Sequence, residues 1–359
     1  MFKIYRKYLI NNFIIKFIYI FLIFFSLVFI LSILEEITFL KNLNTPFFYP
    51  YLLTFLKAPI TLFEIFPFIF LLTTQFLFYE LMSNDELDLL KFNGISNLKI
   101  IKVLFFLSVV IGIFNILIYY NISSKLNFYY SDLKNKLTED NKYLAMVTDS
   151  GLWIKDEINE KTYLVKSEFI KDQILSKTLI NEFDINFNLI RTIQSEKIDI
   201  TENQWVIFNP IITKDNITSK NLSPIFLETN FDEKTINNLF SNISTLDILK
   251  LFNLMEDYRK IGYSPDDLQL HLLKLLIMPL FYGILTVLSA ILMFNISVNK
   301  PLIFHISIGI LMSVIIYYIN FIFTSLGSNG KIPILASVIF PTSILSLLTI
   351  IGLVDLNEK

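Results

Sequence analysis

Six long apolar runs constrain this 359-residue chain more than anything else: Phe17–Leu34, Pro59–Tyr79, Val103–Tyr120, Leu275–Phe294, Leu302–Phe323 and Ile332–Val354. A helix needs about 20 mostly apolar residues to cross a hydrocarbon core about 30 Å thick. Backbone amides left unpaired in hydrocarbon are costly, so such runs are expected to be spanning helices. Inside them Glu64 is the single charged residue and His305 the single imidazole. Six buried helices of a soluble protein fit less well, because several runs exceed ordinary core helices and have no polar face.

The charges lie mostly between the third and fourth runs. Residues 123–268 hold 17 Lys/Arg and 23 Asp/Glu, whereas the other 213 residues hold 13 and 9. The chain therefore reads as apolar, polar, apolar. Its net charge of −2 gives no basic excess for nucleic acid. The absence of cysteine excludes disulfides, thiolate catalysis and thiolate metal sites, and two histidines make a histidine-rich metal site unexpected. No cofactor is expected.

Lys3, Arg6 and Lys7 precede the first run as they would a signal peptide. Ile33-Leu34-Glu35-Glu36 follows it in place of a small-residue cleavage site, so this run is expected to stay as a span whose end Glu35 and Glu36 mark. Six spans put both termini on one side. That side carries Lys3, Arg6, Lys7, Lys91, Lys99, Lys102, Lys300 and Lys359, against Lys41 and Lys331 in the opposite short loops. The positive-inside rule then predicts cytoplasmic termini and an exported middle.

Residues from about 145 to 232 read as strands. Phe183, Ile185, Phe187 and Leu189 alternate with Asp184, Asn186 and Asn188, and Ile198 and Ile200 continue the period of two. Asn203-Gln204 separates this strand from Trp205–Phe208 as a hairpin, with further strands at Leu152–Ile154, Tyr163–Val165 and Ile225–Leu227. Such a succession suggests a sandwich or barrel-like roll. Helices flank it at Ser123–Leu144 and after Ser244-Thr245-Leu246-Asp247, a capping-box pattern, with Gly262 as a stop. This middle segment has no histidine, so a Ser–His pair cannot form within it, and its carboxylates read as solvated strand faces rather than a catalytic pair.

Two further features stand out. Ser83-Asn84-Asp85-Glu86 also has the capping-box pattern, Leu87 and Leu90 form a small apolar face, and Gly94 can end the helix before Ser96 starts the next. This predicts a short amphipathic helix near 83–94, suited either to docking a partner protein or to lying at the lipid interface. Lys57 and Glu64 sit seven residues apart on one face of the second span, between or beside Pro59 and Pro67. An intramembrane ionisable group is a functional candidate, set against snorkelling of Lys57 and local pairing of Glu64. Lys16 and Lys274, just outside their apolar runs, are expected to snorkel. There is no G-x-x-x-x-G-K-[ST] motif, and Gly327–Lys331 has the wrong spacing for one, so ATP-driven work requires a separate ATPase.

The order three spans, exported strand domain, three spans resembles the LptF/LptG permeases of lipopolysaccharide export. Glu86–Lys91 with Gly94-Ile95-Ser96 looks like the family's coupling segment. Ser150–Lys155 resembles the opening of its periplasmic domain, and Leu326–Pro333 followed by Ala336 and Pro341 resembles its last loop and span. The Ser150 and Leu326 runs favour LptG over LptF. The resemblance implies an α-helical integral membrane protein of the bacterial inner membrane, with six transmembrane helices (3+3) and an inserted periplasmic all-β domain, β-jellyroll-like. The domains are then 1–122, 123–268 and 269–359.

It further implies an LptF-like permease partner, an LptB-like ATPase dimer that binds the ATP, and LptC- and LptA-like periplasmic proteins, with lipopolysaccharide as substrate and membrane lipid as surroundings. Carried onto this sequence, Asp85, Glu86, Leu87, Leu90 and Gly94 would meet the ATPase. Lys57, and less directly Lys41, would meet lipid phosphate, and Phe183, Ile185 and Phe187 would cover acyl chains. Family members are often arginine-rich in the fourth-to-fifth loop, whereas Asn295–Pro301 has only Lys300. Two other functions fit the same outline, another ABC-type membrane subunit acting by mechanotransmission and a membrane-anchored envelope enzyme. Copurified lipid separates the first from an exporter, and activity without an ATPase identifies the second. A purely structural scaffold would leave Lys57 and Glu64 without a role.

Overall fold

The computed structural model describes residues 2–41, 45–138, 152–158, 161–171, 173–214, 217–220, 223–229, 231, 243–260, 265–296 and 300–358. In chain order the helices are α1 (Phe2–Leu40), α2 (Tyr49–Ser83), α3 (Glu86–Phe92), α4 (Asn97–Phe114), a π-helix (Asn115–Tyr120), α5 (Asn121–Thr138), α6 (Ile248–Lys260), α7 (Asp266–Asn295), α8 (Leu302–Ser328) and α9 (Ile334–Glu358). Among the described residues six helices are long and apolar enough to cross a membrane: α1, α2, α4 with its continuation, α7, α8 and α9. An antiparallel sheet is inserted between the third and fourth of them. The chain divides into two compact units, Met1–Asn127 with Asp266–Lys359, and Phe128–Pro265.

The helical unit is built around one apolar cluster that draws on α1, α2, α4 and α7, with Phe13, Leu62, Phe70, Leu104 and Leu285 all buried. Glycines let α4 and α7 approach closely. A Cβ on Gly112 would lie 2.8 Å from Pro279 Cα, and one on Gly283 would lie 2.7 Å from the Phe105 ring. Small residues at such crossings are how helices pack where lipid removes the hydrophobic drive. Ser108 and Thr286 hydroxyls meet across the same contact at 2.7 Å, and Tyr282 stacks on Phe70 with centroids 4.5 Å apart.

The helices outrun the apolar runs. Glu35 and Glu36 do not end the helix, because α1 continues to Leu40. Pro59 and Pro67 lie inside α2, which passes through both without a break. Lys274, one residue before its apolar run, lies within α7, which begins at Asp266.

Among the described residues the second unit holds an eight-stranded antiparallel sheet of β1 (Leu152–Ile158), β2 (Lys161–Lys171), β3 (Ile174–Phe183), β4 (Leu189–Asp199), β5 (Gln204–Phe208), β6 (Ile211–Lys214), β7 (Ile217–Lys220) and β8 (Ile225–Glu228). The order β1-β2-β3-β4-β5-β8 forks at β4. Lys197–Asp199 pair with β5, while Thr192–Gln194 pair with β6, which carries β7. One face buries Ile154, Val165, Ile180, Ile193, Ile207 and Trp205, whose indole N–H donates to the Phe231 carbonyl at 2.6 Å. A β4–β5 hairpin forms as expected, but its turn is residues 200–203, since Gln204 already pairs with Glu228 in the sheet.

The run Phe183–Leu189 is not one strand. β3 stops at Phe183 and β4 starts at Leu189, and the residues between them turn. Asp184 decides this: its carboxylate accepts the backbone N–H groups of Asn186 and Asn188 and the Asn188 amide, at 2.8–3.1 Å. Asp and Asn side chains that bond their own backbone favour turns over ladders. Nor is Ser244 the cap of the following helix. Residues Ile243–Thr245 form a 3₁₀ turn, and Asp247 accepts the Lys250 N–H at 2.9 Å as the N-cap of α6. Of the expected flanking features, Leu144, Ser150-Gly151 and Gly262 lie outside the described residues.

Candidate functional site

The short helix expected between the second and third spans is α3, seven residues long. It does not use a capping box. The Ser83 hydroxyl donates back to the Glu80 carbonyl at 3.2 Å, and Asp85 sits at φ 58 without a side-chain cap bond. What holds α3 is its C-terminal end and its underside. Gly94, at φ 78, donates to Lys91 O at 2.8 Å while Ile95 donates to Leu90 O at 3.1 Å. These two bonds form a Schellman stop, and the left-handed conformation suits glycine. Leu87 is buried and Leu90 packs against the helical core.

The Tyr8 hydroxyl of α1 donates to Glu86 Oε2, tying the first turn of α3 to the first span. The outer face is unexpectedly apolar: Leu89 is 59% exposed and Phe92 is 88% exposed, beside Asp88 and Lys91. Sequence pattern assigned the apolar face to Leu87 and Leu90. The second, outward pair was missed because Leu89 and Phe92 look like the same leucine-rich stretch.

Two ion pairs join α1 to α2. Lys16 pairs with Glu80, and Lys57 pairs with Glu35, its ammonium 2.9 and 2.8 Å from the two carboxylate oxygens. Lys16 and Glu35 are 19 residues apart on α1, about 28 Å at 1.5 Å per residue. That matches a hydrocarbon core about 30 Å thick. Between the pairs α1 carries no charge and α2 carries only Glu64. The pairs therefore bracket an apolar slab, and neither lysine acts as an isolated snorkelling cation.

A family model described as lipopolysaccharide export system permease LptF/LptG matches residues 7–354. The chain belongs to this family. It is a multi-pass membrane protein and a transporter rather than an enzyme. No curated protein matches the chain.

In this LptF/LptG permease the residues singled out from sequence do not form one site. Lys57 is half-buried at one edge of the slab, held by Glu35. Lys41 is exposed just past the end of α1. Phe183 closes β3, whereas Ile185 and Phe187 project from the turn, 72% and 59% exposed. The last three belong to the sheet unit and do not share a strand face. Asp85, Glu86, Leu87, Leu90 and Gly94 do come together, in and around α3.

A polar seam between α2 and α8 was not anticipated. Gln75 is buried against Gly309, with its amide oxygen 2.0 Å from where a Cβ on that glycine would sit. One helical turn away His305, also buried, packs its ring 5.3 Å from that of Tyr79. Neither Gln75 nor His305 has a side-chain hydrogen-bond partner among the described residues.

Proposed function

We propose that this permease is the membrane-spanning half of an ABC-type lipopolysaccharide exporter of the inner membrane, driven by a separate LptB-like ATPase that docks on α3. The observation that carries the reading is the construction of α3: an anchored underside, a carboxylate fixed by Tyr8, and an outward face bearing Leu89 and Phe92. Exposed aromatic and aliphatic anchors rimmed by charge suit a protein partner. The lysine distribution supports cytoplasmic termini, which puts α3 on the ATP side and the sheet unit in the periplasm.

The Ser150–Lys155 and Leu326–Pro333 runs support an LptG-type subunit paired with an LptF-type partner. Lys57, already charge-neutralised by Glu35, is positioned to exchange that carboxylate for a lipid phosphate. Extraction then needs work, since each CH₂ taken from hydrocarbon into water costs about 0.8 kcal/mol. ATP-driven closure transmitted through α3 would expel substrate toward the β unit and on to LptC- and LptA-like proteins, as rigid-body gating between two states.

Affinity purification in mild detergent tests this reading. An ATPase subunit, a second permease and lipopolysaccharide should copurify, and reconstituted vesicles should release lipopolysaccharide on adding ATP. Reporter fusions that place the sheet unit in the cytosol would overturn it.

A further inference from the structure

A groove of about 450 Å³ opens on the helical unit where α1, α2 and the π-helix meet. Phe21 and Phe25 of α1, Phe55 and Phe66 of α2, and Ile118 and Tyr119 of the π-helix form its walls. It lies within the apolar slab. Phe21 and Phe25 fall between Lys16 and Glu35 on α1, and Phe66 falls between Lys57 and Glu80 on α2. Phe55, two residues before Lys57, is the lining residue of α2 nearest the Lys57–Glu35 pair.

The hydroxyls along the floor are already engaged, and the buried Asn115 Oδ1 is the polar atom of the lining left without a partner among the described residues. The Tyr119 hydroxyl donates to Pro59 O at 3.0 Å, Ser123 Oγ donates to Tyr119 O at 2.7 Å, and the Asn115 amide donates to Tyr282 at 3.3 Å. The surface offered is therefore hydrocarbon-like. The widened π turn shapes it, and such turns recur at functional sites. Carbonyls that a tighter turn would bond internally are taken by side chains, Leu117 O by the Asn121 amide and Tyr119 O by Ser123.

We infer that this groove is a lipid site that holds one acyl chain of a bilayer glycerophospholipid, headgroup at the Phe55 and Lys57 level and tail running toward Phe66. The groove's depth is that of the hydrocarbon layer, its lining reaches Phe55 near the level of the Lys57–Glu35 pair where a headgroup would sit, and the volume takes a single chain rather than the several chains of a lipopolysaccharide anchor. The inference rests on the membrane level of the ion pairs and is independent of ATPase docking on α3.

The test uses the full chain, with the subunits that copurify, in phosphatidylethanolamine/phosphatidylglycerol vesicles containing a trace of phospholipid with a diazirine on its acyl chain. After illumination, labelled residues are mapped by mass spectrometry. Labelling at Phe114, Ile118 and Ile122 should exceed that at Ile310, Leu311 and Ile315, comparably exposed residues of α8, by roughly fivefold, a preference near 1 kcal/mol. Ile118→Trp, and separately Ile122→Trp, should fill the groove and abolish that excess at Phe114 while α8 labelling stays unchanged, which also reports a folded chain. Equal labelling at the two sets, or an excess that survives both substitutions, overturns the inference. Loss of the excess with equimolar unlabelled lipopolysaccharide but not with the same amount of unlabelled phospholipid overturns it too and assigns the groove to the exported lipid.

Discussion

The ammonium of Lys57 on α2 reaches both carboxylate oxygens of Glu35 on α1, at 2.9 and 2.8 Å, while Lys16 and Glu80 close the same helix pair at its other end. An apparent intramembrane cation is thus one post of a two-post frame. Interfacial pairs of this kind contribute little each, up to about 1 kcal/mol. Their value lies in fixing the register of α1 against α2 and in setting the depth of the helices. Lys57→Glu should lower the detergent-solubilised chain's stability by roughly 1 kcal/mol, a few degrees in melting temperature. The double variant with Glu35→Lys should recover most of it. A double variant no more stable than Lys57→Glu alone would remove the pair from the frame.

The outward face of α3 makes a separate prediction. Phe92→Ala and Leu89→Ala should each weaken retention of the ATPase about tenfold, near 1.4 kcal/mol per anchor. Glu86→Lys should do the same and also lose the Tyr8 bond, whereas Tyr8→Phe alone should have a smaller effect. Pull-down from solubilised membranes reads this directly. Full retention in all of these variants would move the docking site elsewhere.

Glu182 gives the sheet unit an acid-sensitive lock. Its side chain is 1% exposed and bonds Lys161 at 2.8 Å and Arg191 at 2.5 Å. Burial pushes this carboxyl upward, but the hydrogen bonds and charges of Lys161 and Arg191 outweigh it and hold it below the usual carboxylate range. A depressed folded-state pKa means stability that is fully present above the unfolded value, about 4.3, and lost as pH falls through the folded one.

The sheet unit should therefore loosen below about pH 4, and Glu182→Gln should flatten that pH dependence. Glu182→Gln should cost roughly 1–3 kcal/mol at neutral pH, less than a fully buried pair would because Lys161 and Arg191 reach solvent. Tryptophan fluorescence follows it without interference, since both tryptophans, Trp153 and Trp205, lie in this unit. Unchanged acid unfolding in Glu182→Gln would exclude the lock.

The Gln75–Gly309 contact predicts a coupled pair. Gly309→Ala places a methyl where the buried Gln75 amide oxygen sits and 2.9 Å from Leu72 Cδ2, so the Gln75 side chain must shift. Overpacking of that kind costs about 1–3 kcal/mol. Removing the amide should relieve the clash, so Gln75→Ala combined with Gly309→Ala should be more stable than the sum of the single changes. Strict additivity in a double-mutant cycle of melting temperatures would show that the two residues do not meet.

Several features misread from sequence share one cause. Ser83–Glu86 and Ser244–Asp247 both carry the capping-box spacing, yet Ser83 bonds backwards and Asp247 caps instead of Ser244. Phe183–Leu189 alternates as a strand would, yet Asp184 folds it into a turn. In each case a short polar side chain had two backbone partners within reach, and neighbouring structure chose between them. The outward pair Leu89 and Phe92 was hidden similarly, since periodicity over seven residues cannot say which of two apolar edges meets the core.

Sequence by itself determined the six spans, the inserted strands, the Gly94 stop and the family outline, because each is a consequence of composition or backbone chemistry along a contiguous stretch. The tertiary structure alone decided that Lys57 answers Glu35, that Tyr8 holds Glu86, that Gln75 meets Gly309, and that a groove forms beside the π-helix. These are contacts between side chains on different helices, and what selects them is helix crossing and depth in the bilayer, which spacing along one chain does not encode.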